Sequence, residues 1–105
     1  MRIIITPIVM SAPLRLVRRG PAKLEIDGDL LDLSALAVGT TVEEAWRLHP
    51  MLAAGSIEIT GDGPVIPVLL PISPTTDPRA LPAFVDVPAD GPVALPEVAV
   101  PGEEE

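Results

Sequence analysis

The chain has 105 residues and contains no cysteine and no tyrosine, with one tryptophan and one phenylalanine. Without cysteine it can form no disulfide and no thiolate metal site, and it has no thiol nucleophile. Because aromatic side chains are almost absent, the core must be aliphatic. A hydrophobic fraction of 48% still predicts a folded body, and the length suits a single domain.

Histidine is as scarce, since His49 is the only one in the chain. A lone histidine cannot build a multi-histidine metal site, and no Ser-His-Asp or Cys-His set has a recognisable spacing. Asp27, Asp29 and Asp32 suggest a calcium loop, but the twelfth position from Asp27 is Val38 instead of the required glutamate. The sequence therefore predicts no catalytic, cofactor-binding or metal-binding residue, and no enzyme.

Basic residues are few and unevenly placed. Residues 1–23 hold five bases and no acid, whereas residues 24–105 hold two bases and all fifteen acids, for a net charge of −8. Nucleic-acid binding needs a positive surface, so the acidic bulk argues against a nucleic-acid partner. Arg18 and Arg19 could form a small basic ledge, but we interpret them as solvated or paired with acids of the chain.

Long apolar runs are also missing. No stretch approaches the ~20 apolar residues that cross a bilayer. The apolar start at 1–10 is interrupted by Thr6 and Pro7, and no cleavage-site pattern follows it. The sequence predicts a cytoplasmic protein without a membrane segment, whose first strand covers residues 2–6.

The clearest positive signal is a hairpin at residues 56–71. Ile57 and Ile59 alternate with polar residues, which is typical of a strand with one apolar face. Gly61-Asp62-Gly63 can adopt the positive φ that a chain reversal needs, and residues 65–70 return as the second strand.

Further strands are predicted upstream. Asp27-Gly28 between alternating segments is a strong hairpin signal, and Pro7 ends the first strand or places it at an edge. We predict an antiparallel meander of strands at 2–6, 14–19, 23–26 and 29–33. The predicted core is Ile3, Ile5, Leu16, Leu24, Ile26, Leu31, Leu33, Ile57, Ile59, Val68 and Leu70.

One short helix is predicted at residues 40–48, where the capping-box pattern of threonine and glutamate occurs twice. Pro50 would end it, and it would pack on the sheet through Val42, Trp46 and Leu48. An irregular loop with a single 3₁₀ turn is the alternative.

Proline dominates the C-terminal part, with ten of fourteen prolines from Pro64 onward. A loop is predicted at 72–78 and a short edge strand around Phe84-Val85. From Pro88 onward the spacing of prolines favours an extended or polyproline II conformation. We predict one β-rich domain at 1–87 and an acidic, proline-rich tail at 88–105.

Trp46 has two interpretations. A single tryptophan on a short helix usually fills a core position, and we favour that interpretation. Beside His49 and Pro50 it could instead anchor a protein partner, because tryptophan is enriched at interface hot spots. The candidate partner contact is therefore Trp46, His49 and Pro50.

The order of motifs resembles a family of small, mostly uncharacterised proteins encoded in the tail region of tailed phages and prophages of proteobacteria. The shared features are the opening strand at 1–7, an LxIDGxxxDLSxL segment at 24–36, the LLP sequence at 69–71 that leads into a proline-rich loop, and DGPVALP at 90–96. A tryptophan-containing segment lies between them, although the helix-like residues near Trp46 differ from the loop expected of the family.

The resemblance implies a non-enzymatic structural or tail-assembly protein that acts through protein–protein contacts, in the cytoplasm or assembled into a virion. Exposed strand edges and the tail are the expected contact surfaces, with self-association left open. The alternative is a small ligand-binding or regulatory β-module unrelated to virions. The predicted fold is mostly β, a small antiparallel open barrel or curled sheet, with SH3-like as one option, one short helix and an extended tail.

Overall fold

The computed structural model describes residues 1–10, 14–72, 74, 79 and 81–95. This part of the chain is mostly β, with nine strands and one 3₁₀ turn at Ala45–Arg47. The strands are β1 Arg2–Val9, β2 Leu16–Gly20, β3 Lys23–Ile26, β4 Asp29–Asp32, β5 Thr41–Val42, β6 Ile57–Thr60, β7 Gly63–Ile72, β8 Phe84–Asp86 and β9 Gly91–Pro92.

The first sheet, sheet A, has the strand order β5-β6-β7-β1-β8. β6 and β7 form the predicted hairpin, with Thr60 opposite Gly63 across the turn. β1 runs parallel to β7 over its whole length, from Arg2 opposite Val65 to Val9 opposite Ile72. The prediction that the first strand belongs to an antiparallel meander is therefore wrong: two nearly continuous apolar runs pair in parallel at the centre of the sheet, as buried parallel strands do.

The second sheet, sheet B, has the order β4-β3-β2-β9 and contains the predicted meander of β2, β3 and β4. Asp27 and Gly28 connect β3 to β4 with φ values of 50° and 91°. Positive φ at both central residues defines a type I′ turn, whose twist suits a two-residue hairpin. The hairpin prediction at this position is confirmed. Neither sheet closes into a barrel among the described strands.

Pro7 lies inside β1 and does not end it. The Ile5 N–H donates to the Ala83 carbonyl on the β8 side of the strand. Backbone groups alternate sides along a strand, so the position of the missing Pro7 N–H faces the same side, beyond the residues that pair with β8. The proline therefore removes no donor from the ladder with β7.

Both sheets contribute to one apolar core. Ten of the eleven predicted core residues are buried, and Leu31 is partly buried and packs against the others. The core also contains residues that the predicted list omits: Ala45, Leu52, Ala53, Ile66, Ile72 and Val87. Ile66 and Ile72 lie on the same face of β7 as Val68 and Leu70, so their burial follows from the strand period.

The predicted helix at 40–48 does not form; the 3₁₀ turn of the alternative is confirmed at Ala45–Arg47, but the segment before it is a strand instead of an irregular loop. Thr41–Val42 pair with β6 as β5, and the Ile59 N–H donates to the Thr40 carbonyl. Glu44 then has a left-handed backbone with φ of 54° and makes no side-chain capping bond. This segment therefore bonds to the sheet instead of forming the local capping bonds. Tertiary context commonly overrides a weak helical tendency in this way.

The C-terminal part adds two short strands. The edge strand predicted around Phe84 is confirmed as β8, which pairs with the beginning of β1. Gly91–Pro92 form β9 against β2, and the Val93 N–H donates to the Leu16 carbonyl. Residues 96–105 of the predicted tail, and most of the loop predicted at 72–78, lie outside the described residues.

A candidate protein-contact site around Trp46

Trp46 projects from the 3₁₀ turn that follows β5. Its neighbour Ala45 is fully buried, and the Ala45 N–H donates to the Gly55 carbonyl at 3.0 Å. With Ala45 turned inward, Trp46 is left 50% exposed. The interpretation of Trp46 as a core residue is therefore wrong. The alternative, a partner contact by Trp46, stays a prediction.

Arg47 lies beside the indole and is already paired. Its guanidinium carbon is 5.4 Å from the Trp46 ring centroid, and its Nε is 2.7 Å from the Glu44 carboxylate. The two charges compensate each other, and a cation near an aromatic face is attracted by the ring quadrupole. The turn thus presents a large aromatic surface with no net charge of its own.

His49 ties this turn to sheet B. Its Nδ1 accepts the Met51 N–H at 3.0 Å, and its Nε2 lies 2.9 Å from the Asp29 carboxylate. Since Nδ1 acts as an acceptor, the neutral ring carries its proton on Nε2 and donates it to Asp29. The His49 side chain is 11% exposed, whereas that of Asp29 is 75% exposed. His49 therefore connects the Trp46 segment to the start of β4 by a hydrogen bond.

Two leucines next to the bonded pair in the sequence are exposed. Leu48 precedes His49 and is 49% exposed, and Leu30 follows Asp29 and is 55% exposed. Pro50 is also exposed. Of the three predicted contact residues, Trp46 and Pro50 are thus exposed, whereas His49 between them is mostly buried. Leu30 was not predicted as a contact, although its outward position follows from the inward Leu31 by strand alternation.

A separate polar cleft of about 250 Å³ lies where β1 starts. Arg2 donates from Nε to Asp86 at 2.8 Å and covers the Phe84 ring at 4.0 Å. This hydrogen bond is the main reason that the pKa of Asp86 is lowered and that of Arg2 is raised from their ordinary values. The cleft also includes Thr60 and Asp62. Within the cleft, the charges of Arg2 and Asp86 are already paired with each other.

The described part of the chain holds neither a metal-ligand cluster nor a membrane-spanning helix. No group of three or more histidine, cysteine or acidic residues there is placed to hold a metal ion. Of the helical segments described, none has the length and apolar character to cross a bilayer.

Comparisons with family models, with curated proteins and with solved structures find no match to this chain.

Proposed function

We propose that this protein is a non-enzymatic structural or assembly protein that acts through protein–protein contacts, with Trp46 at the centre of the contact. The observation that carries the proposal is the half-exposed indole on a turn fixed by backbone and side-chain bonds. Burial of a tryptophan in a partner's pocket is among the largest single contributions to binding. A surface fixed before binding loses less conformational entropy.

The setting that we propose is the tail of a phage or prophage, in the cytoplasm during assembly or within the virion. Its support is the order of sequence motifs, from the opening strand to the late DGPVALP segment, and not the comparisons. An SH3-like relationship of the strands likewise stays a prediction. Self-association through other strand edges is compatible with this proposal.

The test compares three tagged versions of the full chain expressed in the induced source strain: wild type, Trp46→Ala and Phe84→Ala. Phe84 is a matched control, because it is the other exposed aromatic residue and lies on sheet A. Mass spectrometry identifies the chain in purified particles and the tail proteins that co-purify with it. We expect Trp46→Ala to lower this association at least about tenfold, and Phe84→Ala to retain it.

The outcomes separate the parts of the proposal. Absence of the wild-type chain from particles and from tail-protein complexes overturns the phage setting. Equal recovery of wild type and Trp46→Ala with the same tail protein overturns the role of Trp46. Thermal unfolding of each variant shows that lost association is not lost folding, since truncation of a half-exposed side chain leaves the core intact.

A second candidate is a small ligand-binding β-module, favoured by the cleft at the start of β1. Its lining offers hydrogen-bonding groups of both signs, including Thr60, Asp62 and the Arg2–Asp86 pair. Amide chemical shifts recorded against a library of small polar metabolites would test it. Shifts confined to Thr60–Gly63 and Asp86 support this function, and a library without such shifts removes it.

A further inference from the structure

β4 forms one edge of sheet B and has an unpaired side. The Leu33 N–H donates to the Ala22 carbonyl, and Leu24 opposes Leu31 in the same register. In an antiparallel ladder, residues that bond inward alternate with residues that bond outward. The N–H and carbonyl groups of Leu30 and Asp32 therefore point away from β3. Among the described residues, no strand lies beyond them.

This edge lacks two of the features that commonly block strand addition, a proline and a bulge, although β4 is short and carries an aspartate at each end. β4 contains no proline, lysine or bulge, and its outward Leu30 is exposed. The unpaired backbone groups of Leu30 and Asp32 can bond to an extended segment of another chain, and the exposed Leu30 side chain adds apolar contact.

The charge at the edge is negative. Asp29 and Asp32 flank the two central leucines and are both exposed. The Ser34 hydroxyl and N–H both donate to the Asp32 carboxylate and lower its pKa from the ordinary value, so this group stays ionised at neutral pH. Lys23, opposite Asp32, offsets only part of this charge.

The aromatic surface described above adjoins the same edge. The bond between His49 and Asp29 holds the Trp46 segment at the end where β4 begins. A strand that pairs with β4 would therefore extend toward an exposed indole. Arginine and lysine bind well to such a ring, as Arg47 already does on this chain.

We propose that the β4 edge binds an extended, basic segment of a protein partner by strand addition, with a cation of that segment directed to Trp46. Asp29 lies on the face of Leu31 and Asp32 on the opposite face, so the segment carries lysine or arginine three residues apart, one cation on each face, with small apolar residues between them. This inference rests on the proposed function and names the chemistry of the partner. A second copy of this chain fits the edge poorly, because two β4 strands would bring carboxylates of the same charge together.

The probe is a synthetic five-residue peptide of valine with two lysines three residues apart and blocked ends, added to the isotope-labelled full chain. We expect the amide protons of Leu30 and Asp32 to become protected from solvent exchange at least about tenfold. Leu31 should change little, because its N–H faces β3 already. Binding without protection at Leu30 and Asp32 overturns strand addition.

A second peptide tests the backbone bonds directly. It has the same side chains but carries N-methyl groups at the amides that would pair with the edge. Loss of at least about tenfold in affinity is expected, because the methyl groups remove donors and obstruct close approach. Equal affinity of the two peptides contradicts the proposal.

Charge is tested with matched variants. Asp29→Asn with Asp32→Asn removes two charges but keeps oxygen acceptors for His49 and Ser34. The control, Glu58→Gln with Asp62→Asn, removes two exposed charges elsewhere. We expect the first pair of substitutions to weaken the affinity for the lysine–valine peptide by about three- to tenfold. The control pair should weaken it by less than about twofold. Equal effects would overturn the charge argument.

The readouts keep this inference separate from the proposed function. If tail proteins depend on Trp46 but the peptide gives no protection at β4, the partner chemistry inferred here is wrong and the proposed function stands. If the peptide protects Leu30 and Asp32 while Trp46→Ala leaves tail-protein association unchanged, the edge binds basic strands and the proposed contact is wrong. Concentration-dependent dimerisation that is lost in the peptide complex would assign the edge to a second copy and overturn the inference.

Discussion

The turn between β3 and β4 depends on the backbone of Gly28, which has a φ of 91°. A Cβ at this position would meet no atom within 4 Å, so space is not the constraint. A residue with a Cβ is nevertheless strained at this φ. We predict that Gly28→Ala lowers the free energy of unfolding by about 1–2 kcal/mol, measured by urea denaturation.

Gly61 provides the control for this prediction. It also has open space around its Cβ position, but it has no positive φ. Gly61→Ala should therefore change the free energy of unfolding by less than about 0.5 kcal/mol. Equal destabilisation by the two substitutions would show that the handedness of the backbone is not the cause.

Asp32 should make stability depend on pH. Its pKa is lowered in the folded state, chiefly by the Ser34 hydroxyl and then by the Ser34 N–H. A lowered pKa means that the folded chain favours the ionised form, so its stabilising contribution is present above the unfolded pKa of about 3.9. This contribution is lost as the pH falls through the lower, folded value.

The measurement compares wild type with Asp32→Asn by thermal unfolding between pH 7 and pH 2.5. Asparagine keeps an acceptor for Ser34 but cannot ionise. We expect the wild type to be the more stable protein at neutral pH and the difference to shrink below about pH 4. A difference that stays constant across this range would assign the effect to packing instead of charge.

At the level of elements, the sequence predicts strands and turns well where the information is local. The alternation at Ile57 and Ile59 and the Asp27-Gly28 turn both lie where the pattern predicts them. The segment at 40–48 was mispredicted because its capping-box residues compete with bonds to β6 that no local pattern reveals. Secondary structure there is decided by a partner strand distant in sequence.

At the candidate site, too, local sequence predicts part of the structure and contacts distant in sequence decide the rest. The sequence singles out Trp46 and His49 as rare residues three positions apart. It cannot predict that Ala45 is the residue turned inward, nor that His49 bonds Asp29 twenty residues earlier. The first depends on the bond from Ala45 to Gly55 and the second on contact with sheet B, and neither long-range contact has a periodic signature.

β9 allows a prediction about the segment that follows β8. Val93 is partly buried against the core, and its N–H bonds to β2. A chain that ends at Val87 loses these contacts, whereas a chain that ends at Leu95 keeps them. We expect the shorter chain to be less stable by about 1–3 kcal/mol in urea denaturation, from lost apolar burial and lost backbone bonds. Equal midpoints for the two chains would show that β9 contributes nothing to the fold.

For the whole molecule, the parallel pairing of β1 with β7 makes the fold highly non-local. Arg2 pairs with Val65 and Val9 with Ile72, so the central contact of sheet A closes most of the chain into one loop. Folding rates fall as the sequence separation of contacts rises, because the loop entropy is lost before the contacts form. We predict refolding on a timescale of about milliseconds to seconds, measured by stopped-flow circular dichroism after dilution from urea.

A reference protein for that measurement is any helical bundle of similar length, which should refold about a hundredfold faster or more. Refolding of this chain in microseconds would contradict the importance of the β1–β7 contact. Slow refolding would not imply low stability, since a strand pair that forms late can still be strong once formed.

The pairing of β1 with β7 also determines the order in which strands can pair during synthesis on the ribosome. At about 5–20 residues per second, roughly 3 to 13 s separate the synthesis of Val9 from that of Ile72, its partner in β7. The β2–β4 meander can assemble during this interval from neighbouring residues alone, whereas the apolar β1 strand has no partner yet. A newly made chain therefore carries an unpaired apolar segment for seconds, and exposed apolar segments of this kind are what chaperones protect from aggregation.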